Sequence, residues 1–370
     1  MKKMKLWMLA TILSSCGLMM LSSCSNEDNT DTPPTDEVES RLQRMTLREK
    51  VGQMFYVRPE CLDTTIHFNR SGGIDQSVDD LTKIKLQAVN EMMREVNEDY
   101  PVGGIILYAH NIEDEAQLAR FIPEIRALKG SSLLCIDEEG GRVARIGRNS
   151  NFHVKTYESM GAIGATGDPK NAYECGNTIG TYLHRYGFDI DFAPVADTHF
   201  GYASSQKTWE EMLSCEMVTF KAGIQWGCQL IMTAHIGTPN VTGSNIPATM
   251  SPVILQDKLR HELGYQNLII TDAMEMGAIT QQYTNGEAAV GCIKAGVDIV
   301  LGPQVFTEAF DAVIKAPRPR VLDNANKGTF FKIFLHTLHT LRYKQLTFRC
   351  LLSVCNFIWC MQLSYQVLSP

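Results

Sequence analysis

Residues Leu268–Ile279 read LIITDAMEMGAI. Leu268, Ile269, Ile270 and Thr271 form a short apolar run rich in β-branched side chains, and the run ends on Asp272. A run of this length and composition fits a strand buried on both faces. An ionised carboxylate at its end is costly unless it is hydrogen-bonded or chemically employed. The residues alone allow two readings. Asp272 either caps a helix starting near Ala273, a common role for Asp, or is a reactive carboxylate delivered by a strand.

The same pattern recurs along the chain. Apolar runs occur at Gly104–Tyr108 (GIILY), Ser132–Ile136 (SLLCI), Phe188–Val195 (FDIDFAPV), Gln229–Ala234 (QLIMTA) and Asp298–Leu301 (DIVL). Longer amphipathic segments, such as Glu115–Leu128 and Lys170–Tyr186, lie between them and read as helices. Near the start, Leu42, Met45, Leu47, Val51 and Met54 recur at near-helical spacing. Strands alternating with helices predict an α/β fold with a parallel sheet. Four runs lead into a polar residue: Asp137, Asp197, His235 and Asp272. Chemistry in α/β folds collects at the carboxyl ends of strands, so this ring favours a TIM-type (β/α) barrel.

The bulk properties narrow the possible partners. The chain has 370 residues, 44% apolar and 20% charged, with a formal net charge of −7. That is enough chain for one barrel and additional segments. No basic stripe accompanies the mild acidic excess, which excludes nucleic acid as a partner. The 11 cysteines form no CxxC pair and no metal-type spacing. They read as scattered core thiols.

The ends are of a different character. Lys2, Lys3 and Lys5 precede an apolar stretch from Leu6 to Leu21, which ends in Leu21-Ser22-Ser23-Cys24. This is the form of a signal peptide, too short and Ser-interrupted for a comfortable span. Residues 1–24 therefore read as a lipoprotein-type signal with Cys24 as the lipidation site, tethering the chain to a bacterial membrane of the cell envelope. An ordinary secretory signal is the alternative. Residues 25–37 (SNEDNTDTPPTDE) are polar, acidic and Pro-containing, as in a flexible tether. Residues 38–316 carry the globular pattern. Residues 317–370 read as an aberrant tail, because no Asp or Glu follows Asp323 and no clear period is present.

A second chemical word is Ile136–Arg145, IDEEGGRVAR. Three acids leave a strand, two glycines turn the chain, and two arginines follow. Carboxylates accept hydrogen bonds from hydroxyl groups and guanidinium groups donate them, as a polyhydroxylated ligand requires. A turn with paired Glu and Arg is the alternative.

Taken with KVGQMF (Lys50–Phe55), GGIILYAHNI (Gly103–Ile112), GFDIDFAPVAD (Gly187–Asp197), MTAHI (Met232–Ile236), PATMS (Pro247–Ser251), LRHELGY (Leu259–Tyr265) and AGVDIVL (Ala295–Leu301), these words resemble glycoside hydrolase family 3. The resemblance is to its β-N-acetylhexosaminidase branch. It implies a retaining mechanism with Asp272 as nucleophile, and sugar-holding roles for Asp137 and Arg145. It further implies a site-lining role for His235, and a His acid/base partnered by an Asp two residues earlier. Here that dyad falls on Asp197 and His199. No cofactor and no metal are implied. The expected partner is an N-acetylglucosamine-containing glycan, and the chain is expected to be a monomer.

The chain departs from the family pattern after FAPVA, where it runs directly into DTHFGYASS. Relatives carry a further strand–helix unit and a Lys-His loop there. Asp197 thus fits two family positions, and the barrel is expected to be incomplete by one unit. Two other functions stay open: a catalytically impaired carbohydrate-binding remnant, and a β-glucosidase-type member.

Overall fold

The computed structural model describes residues 35–66, 86–130, 133–196 and 204–317. All of them follow Thr32, within one of the chain's two units. Seven strands are present among the described residues: β1 (Phe55–Val57), β2 (Gly104–Leu107), β3 (Leu133–Ile136), β4 (Ile190–Asp191), β5 (Leu230–Met232), β6 (Leu268–Ile270) and β7 (Val300–Leu301). β1 was not foreseen. Its three residues directly follow the helix Leu47–Gly52 and are too few to show a strand period of their own. The long run Phe188–Val195 forms only a two-residue strand. Phe192 N–H still bonds Ile136 O at 2.9 Å, and the chain then leaves the sheet through Ala193-Pro194.

All the ladders are parallel. One sheet has the order β4-β3-β2-β1-β7, and β5 pairs with β6. A parallel bridge from Ile270 to Ile299 joins the two sheets through the start of β7. Thr271 N–H reinforces it by donating to Ile299 O at 3.0 Å. The strands therefore run β4-β3-β2-β1-β7-β6-β5, the circular order of a (β/α) barrel opened between β4 and β5. No ladder joins those two strands among the described residues. The opening falls where the sequence departs from the family pattern. The structure is a curled, incomplete barrel, because closure requires strand number and stagger to match and β4 and β5 each lack a second partner among the described residues.

Side chains alternate across this sheet as strand geometry requires. Phe55, Val57, Ile105, Leu107, Leu134, Ile136, Ile269 and Val300 face the helices and join the main core. Tyr56, Ile106, Leu133, Cys135, Ile270, Ile299 and Leu301 form a second, interior cluster. At the two open edges Ile190, Phe192, Leu230 and Met232 pack on this interior only partly buried. The helices begin with strong caps: Asp114 accepts from Gln117 N–H ahead of Glu115–Arg126, and Asp168 caps Pro169–Tyr186. The helix Phe306–Lys315 lays Phe306 and Phe310 against Phe55, with ring centroids 5.4 and 5.8 Å away. Of the cysteines in the described residues, Cys61, Cys135, Cys175 and Cys292 are buried, and Cys215 and Cys228 partly so, all as free thiols. None of the helices among the described residues is long and apolar enough to cross a membrane.

Candidate active site

The carboxyl ends of the strands present a ring of polar side chains: Arg58 after β1, Tyr108 after β2, Asp137 after β3, Asp191 on β4, His235 after β5 and Asp272 after β6.

The β3 end is the most elaborately built. Beyond Ile136 the adjacent acids Asp137 and Glu138 take different partners. Glu138 is fully buried and meets the helix Pro169–Tyr186 through Tyr182. Its carboxylate accepts the backbone N–H groups of Arg145, Ile146 and Gly147 at 2.6, 2.9 and 2.8 Å, and the Tyr182 hydroxyl at 2.7 Å. One buried acid thus satisfies three backbone donors that would otherwise be orphaned, and fixes the loop that carries Arg145. The loop can turn back because Gly140 and Gly141 have φ of +84° and +63°. A Cβ at Gly141 would come within 2.9 Å of the Ser159 backbone, so glycine is required there. Arg145 Nη2 lies 2.9 Å from Asp137 Oδ2. The Arg145 guanidinium also sits over the Tyr108 ring at 5.6 Å. The paired Glu and Arg envisaged for this turn are in fact Asp137 and Arg145, while Glu138 serves the backbone.

Asp272 follows β6 directly. Thr271 is buried, and its hydroxyl accepts Leu301 N–H at 2.9 Å. Met274 N–H donates to Leu301 O at 2.9 Å. These bonds to β7 hold the chain on both sides of Asp272. Asp272 is not the cap of a helix at Ala273: the next helix spans Gly277–Thr280 with Met276 before it. Asp272 Oδ1 instead accepts the N–H of the adjacent Ala273 at 2.7 Å.

His235 is 6% exposed. Its Nε2 lies 3.0 Å from Ala273 O and its Nδ1 2.9 Å from the Thr249 hydroxyl. A carbonyl oxygen can only accept, so Nε2 carries a proton and donates to Ala273 O, while the Thr249 hydroxyl also donates to Ala234 O at 2.9 Å. Burial holds the His235 pKa below the ordinary 6.5, against the opposing pull of Asp272 and the Ala273 carbonyl.

The β3 and β6 ends sense each other electrostatically. Burial raises the Asp137 pKa although Arg145 opposes it, and the Asp272 charge adds to the rise. Burial and the charges of Asp137 and Asp272 push Glu139 up to about 7. Beyond them lies a group that the sequence reading missed. Arg58 Nη2 is 3.0 Å from Glu275 Oε2, the Tyr108 hydroxyl is 3.5 Å from Glu275 Oε1, and the fully buried Glu60 is 2.9 Å from His110 Nε2. Burial pushes Glu275 to about 7. The only signal for it in the sequence is that Arg58 and Tyr108 each follow an apolar strand. Among the described residues no cluster of His, Cys, Asp and Glu is arranged to hold a metal ion. Asp197, His199 and Cys24 lie outside the described residues.

A family model described as "Glycosyl hydrolase family 3 N terminal domain" matches residues 46–199 and 196–318. The chain belongs to glycosyl hydrolase family 3. The two matched stretches of this family 3 chain overlap at 196–199, in the stretch of sequence between β4 and β5. Its curated relatives are β-hexosaminidases. That of Stenotrophomonas maltophilia is 26% identical over 271 residues, covering 57% of this chain and 80% of the relative. β-Hexosaminidase A of Pseudoalteromonas piscicida is 26% identical over 282 residues, covering 57% of this chain, and the chain spans only 47% of that protein. Among solved structures, a family 3 β-N-acetylglucosaminidase from Paenibacillus sp. is similar, with a TM-score of 0.63 at 24% identity, over 80% of this chain and 63% of that one. The fold is therefore that of the family 3 barrel domain, and the likeness is to the β-N-acetylhexosaminidase branch.

Proposed function

We propose that the chain is a retaining exo-β-N-acetylhexosaminidase that releases N-acetylglucosamine from cell-wall or chitin-type glycans. The observation that carries this reading is the convergence of Asp272, from the end of β6, with Asp137 and its partner Arg145, from the end of β3. The curated names of the relatives support the substrate class.

In this reading Asp272 is the nucleophile. Its Oδ1 is oriented by Ala273 N–H, and the carboxylate attacks the anomeric carbon to form a glycosyl ester that water then hydrolyses. Asp137 accepts from ring hydroxyls while Arg145 holds it in place. His235 holds the backbone next to the nucleophile. The family resemblance gives proton transfer to His199 with Asp197. Turnover of 4-nitrophenyl N-acetyl-β-glucosaminide by the chain and by Asp272→Ala tests the nucleophile. Loss of at least 10³-fold in the variant is expected on the scale of catalytic nucleophiles (~10⁴–10⁶), and equal rates would remove the assignment.

The open edge between β4 and β5, together with the overlap of the matched stretches at 196–199, favours one other reading: a carbohydrate-binding remnant that does not turn over. Calorimetry with N-acetylglucosamine separates the two. Binding without turnover supports the remnant, and turnover at ordinary enzyme rates rejects it. Anchoring through Cys24 is a separate proposal resting on the sequence, and loss of membrane fractionation in Cys24→Ala tests it.

A further inference from the structure

We infer that Glu275 is a positioning residue: through Tyr108 it ties the turn that carries the nucleophile Asp272 to the sugar-holding pair Asp137 and Arg145. The inference rests on the proposed retaining reading of Asp272.

Glu275 lies three residues beyond Asp272, in a short turn that Met276 N–H closes onto Ala273 O at 3.1 Å. In the sheet order β7 stands between β6 and β1. The residue after β7 is Gly302, at φ +54°, which adds no side chain to the ring. Glu275 nevertheless meets Arg58 at the end of β1, with Nη2 and Oε2 3.0 Å apart. The Asp272 turn therefore reaches across the end of β7.

Glu275 also holds Tyr108, at the end of β2. The Tyr108 hydroxyl donates to Glu275 Oε1 at 3.5 Å, the one side-chain hydrogen bond it makes among the described residues. Burial pushes that hydroxyl well above its ordinary 10, so it stays a donor. Glu275 has an oxygen to accept it whether protonated or not. His110 stacks along the Tyr108 ring at 6.0 Å and is itself fixed by the buried Glu60. The Arg145 guanidinium sits over the same ring at 5.6 Å, and its Nη2 reaches Asp137 Oδ2 at 2.9 Å. Among the described residues, Asp137 and the Tyr108 ring are the side chains that fix this guanidinium, and its Nε is buried with no hydrogen-bond partner.

The contacts form one chain from the Asp272 turn through Glu275, Tyr108 and Arg145 to Asp137. Asp137 and Arg145 hold the sugar ring, and an Asp272 oxygen attacks its anomeric carbon. The spacing between the holding group and the attacking group sets whether that oxygen is within reach. A misplacement of about 1 Å can cost ~10²-fold in rate. Glu275 forms no bond to the sugar and moves no proton in this scheme. It acts through Tyr108, by keeping the β6 turn in register with the Arg145 loop.

The test measures kcat and KM of the full chain and its variants on 4-nitrophenyl N-acetyl-β-glucosaminide, with thermal denaturation to show that each is folded at the assay temperature. Tyr108→Phe removes the hydroxyl and keeps the ring under Arg145. Its kcat should fall ~10–10²-fold while KM stays within ~3-fold. Tyr108→Leu, which also removes the ring, should in addition weaken calorimetric binding of N-acetylglucosamine. Glu275→Ala should lose kcat as Tyr108→Phe does. Glu275→Gln, which keeps an acceptor oxygen for Tyr108, should hold kcat within ~3-fold of the unmodified chain. The double variant Tyr108→Phe/Glu275→Ala should be no slower than the slower single variant, because both cut one link. Unmodified kcat in Tyr108→Phe would overturn the inference, as would equal kcat losses in Glu275→Gln and Glu275→Ala. In those cases a trapped sugar ester on Asp272 would leave the proposed function standing. If Glu275→Ala does not fold, Tyr108→Phe decides. No turnover and no ester in the unmodified chain would reject the proposed function, and this inference with it.

Discussion

The Nε2–H of His235 donates to the carbonyl oxygen of Ala273 across 3.0 Å, so a side chain from the end of β5 holds the backbone one residue beyond Asp272. β5 is an open edge of the sheet, and this bond ties it to the β6 end at the level of the chemistry.

His235→Ala should cost ~1–3 kcal/mol of stability, since the ring makes two hydrogen bonds in a buried site. It should also lower kcat more than it raises KM, because the nucleophile loses its support. The folded-state pKa lies below 6.5. The unfolded chain therefore takes up a proton that the folded chain refuses, and the stability associated with this group is complete above pH 6.5 and lost as pH falls toward the folded value. Denaturant titrations below pH 6.5 should show the wild type weakening more steeply than His235→Gln.

Glu138→Gln should cost ~2–3 kcal/mol, because an amide nitrogen would face donors that now share a carboxylate. Tyr182→Phe should cost only ~1 kcal/mol. Thermal denaturation measures both. A Gln variant as stable as the wild type would show that Glu138 does not organise the Arg145 loop.

Arg58 is 6% exposed and depends on Glu275 for compensation. Arg58→Met alone should destabilise by ~3–5 kcal/mol through the uncompensated acid, and adding Glu275→Gln should recover part of that loss. Glu275 has its pKa raised from 4.5 to about 7 by burial. Its contribution to stability is therefore present below 4.5 and lost as pH rises through about 7. Glu275→Gln should flatten stability over that window in denaturant titrations.

Amide exchange should report the open seam. Gly104 and Ile105 of β2 lie between two paired strands, whereas β4 and β5 each pair on one side only among the described residues. Exchange at β4 and β5 should be faster than at β2 by at least ~10-fold, as expected where local opening is cheaper. Equal protection would show that both edges are covered.

Much of the fold was legible because the strand runs are short, apolar and β-branched, and several end on a polar residue. Leu268–Ile270 and Leu133–Ile136 lie where the sequence puts them. Phe55–Val57 was hidden by its brevity, and Phe188–Val195 promised more strand than the Ala193-Pro194 exit permits. The site was legible as a ring of polar endings. The division of labour within IDEEGGRVAR was not, because adjacent acids look alike until the fold gives them different partners.

By itself the sequence determined the family, the parallel α/β architecture and the placing of Asp137, His235 and Asp272 at strand ends. These follow from local periodicity and from motif words that survive without contacts. Tertiary structure alone decided which acid serves the backbone and which pairs with Arg145, how Arg58 and Glu275 compensate each other, and where the sheet is open among the described residues. Each depends on residues far apart in the chain meeting at one end of a curved sheet, where burial and neighbouring charge, rather than residue type, set what a carboxyl can do.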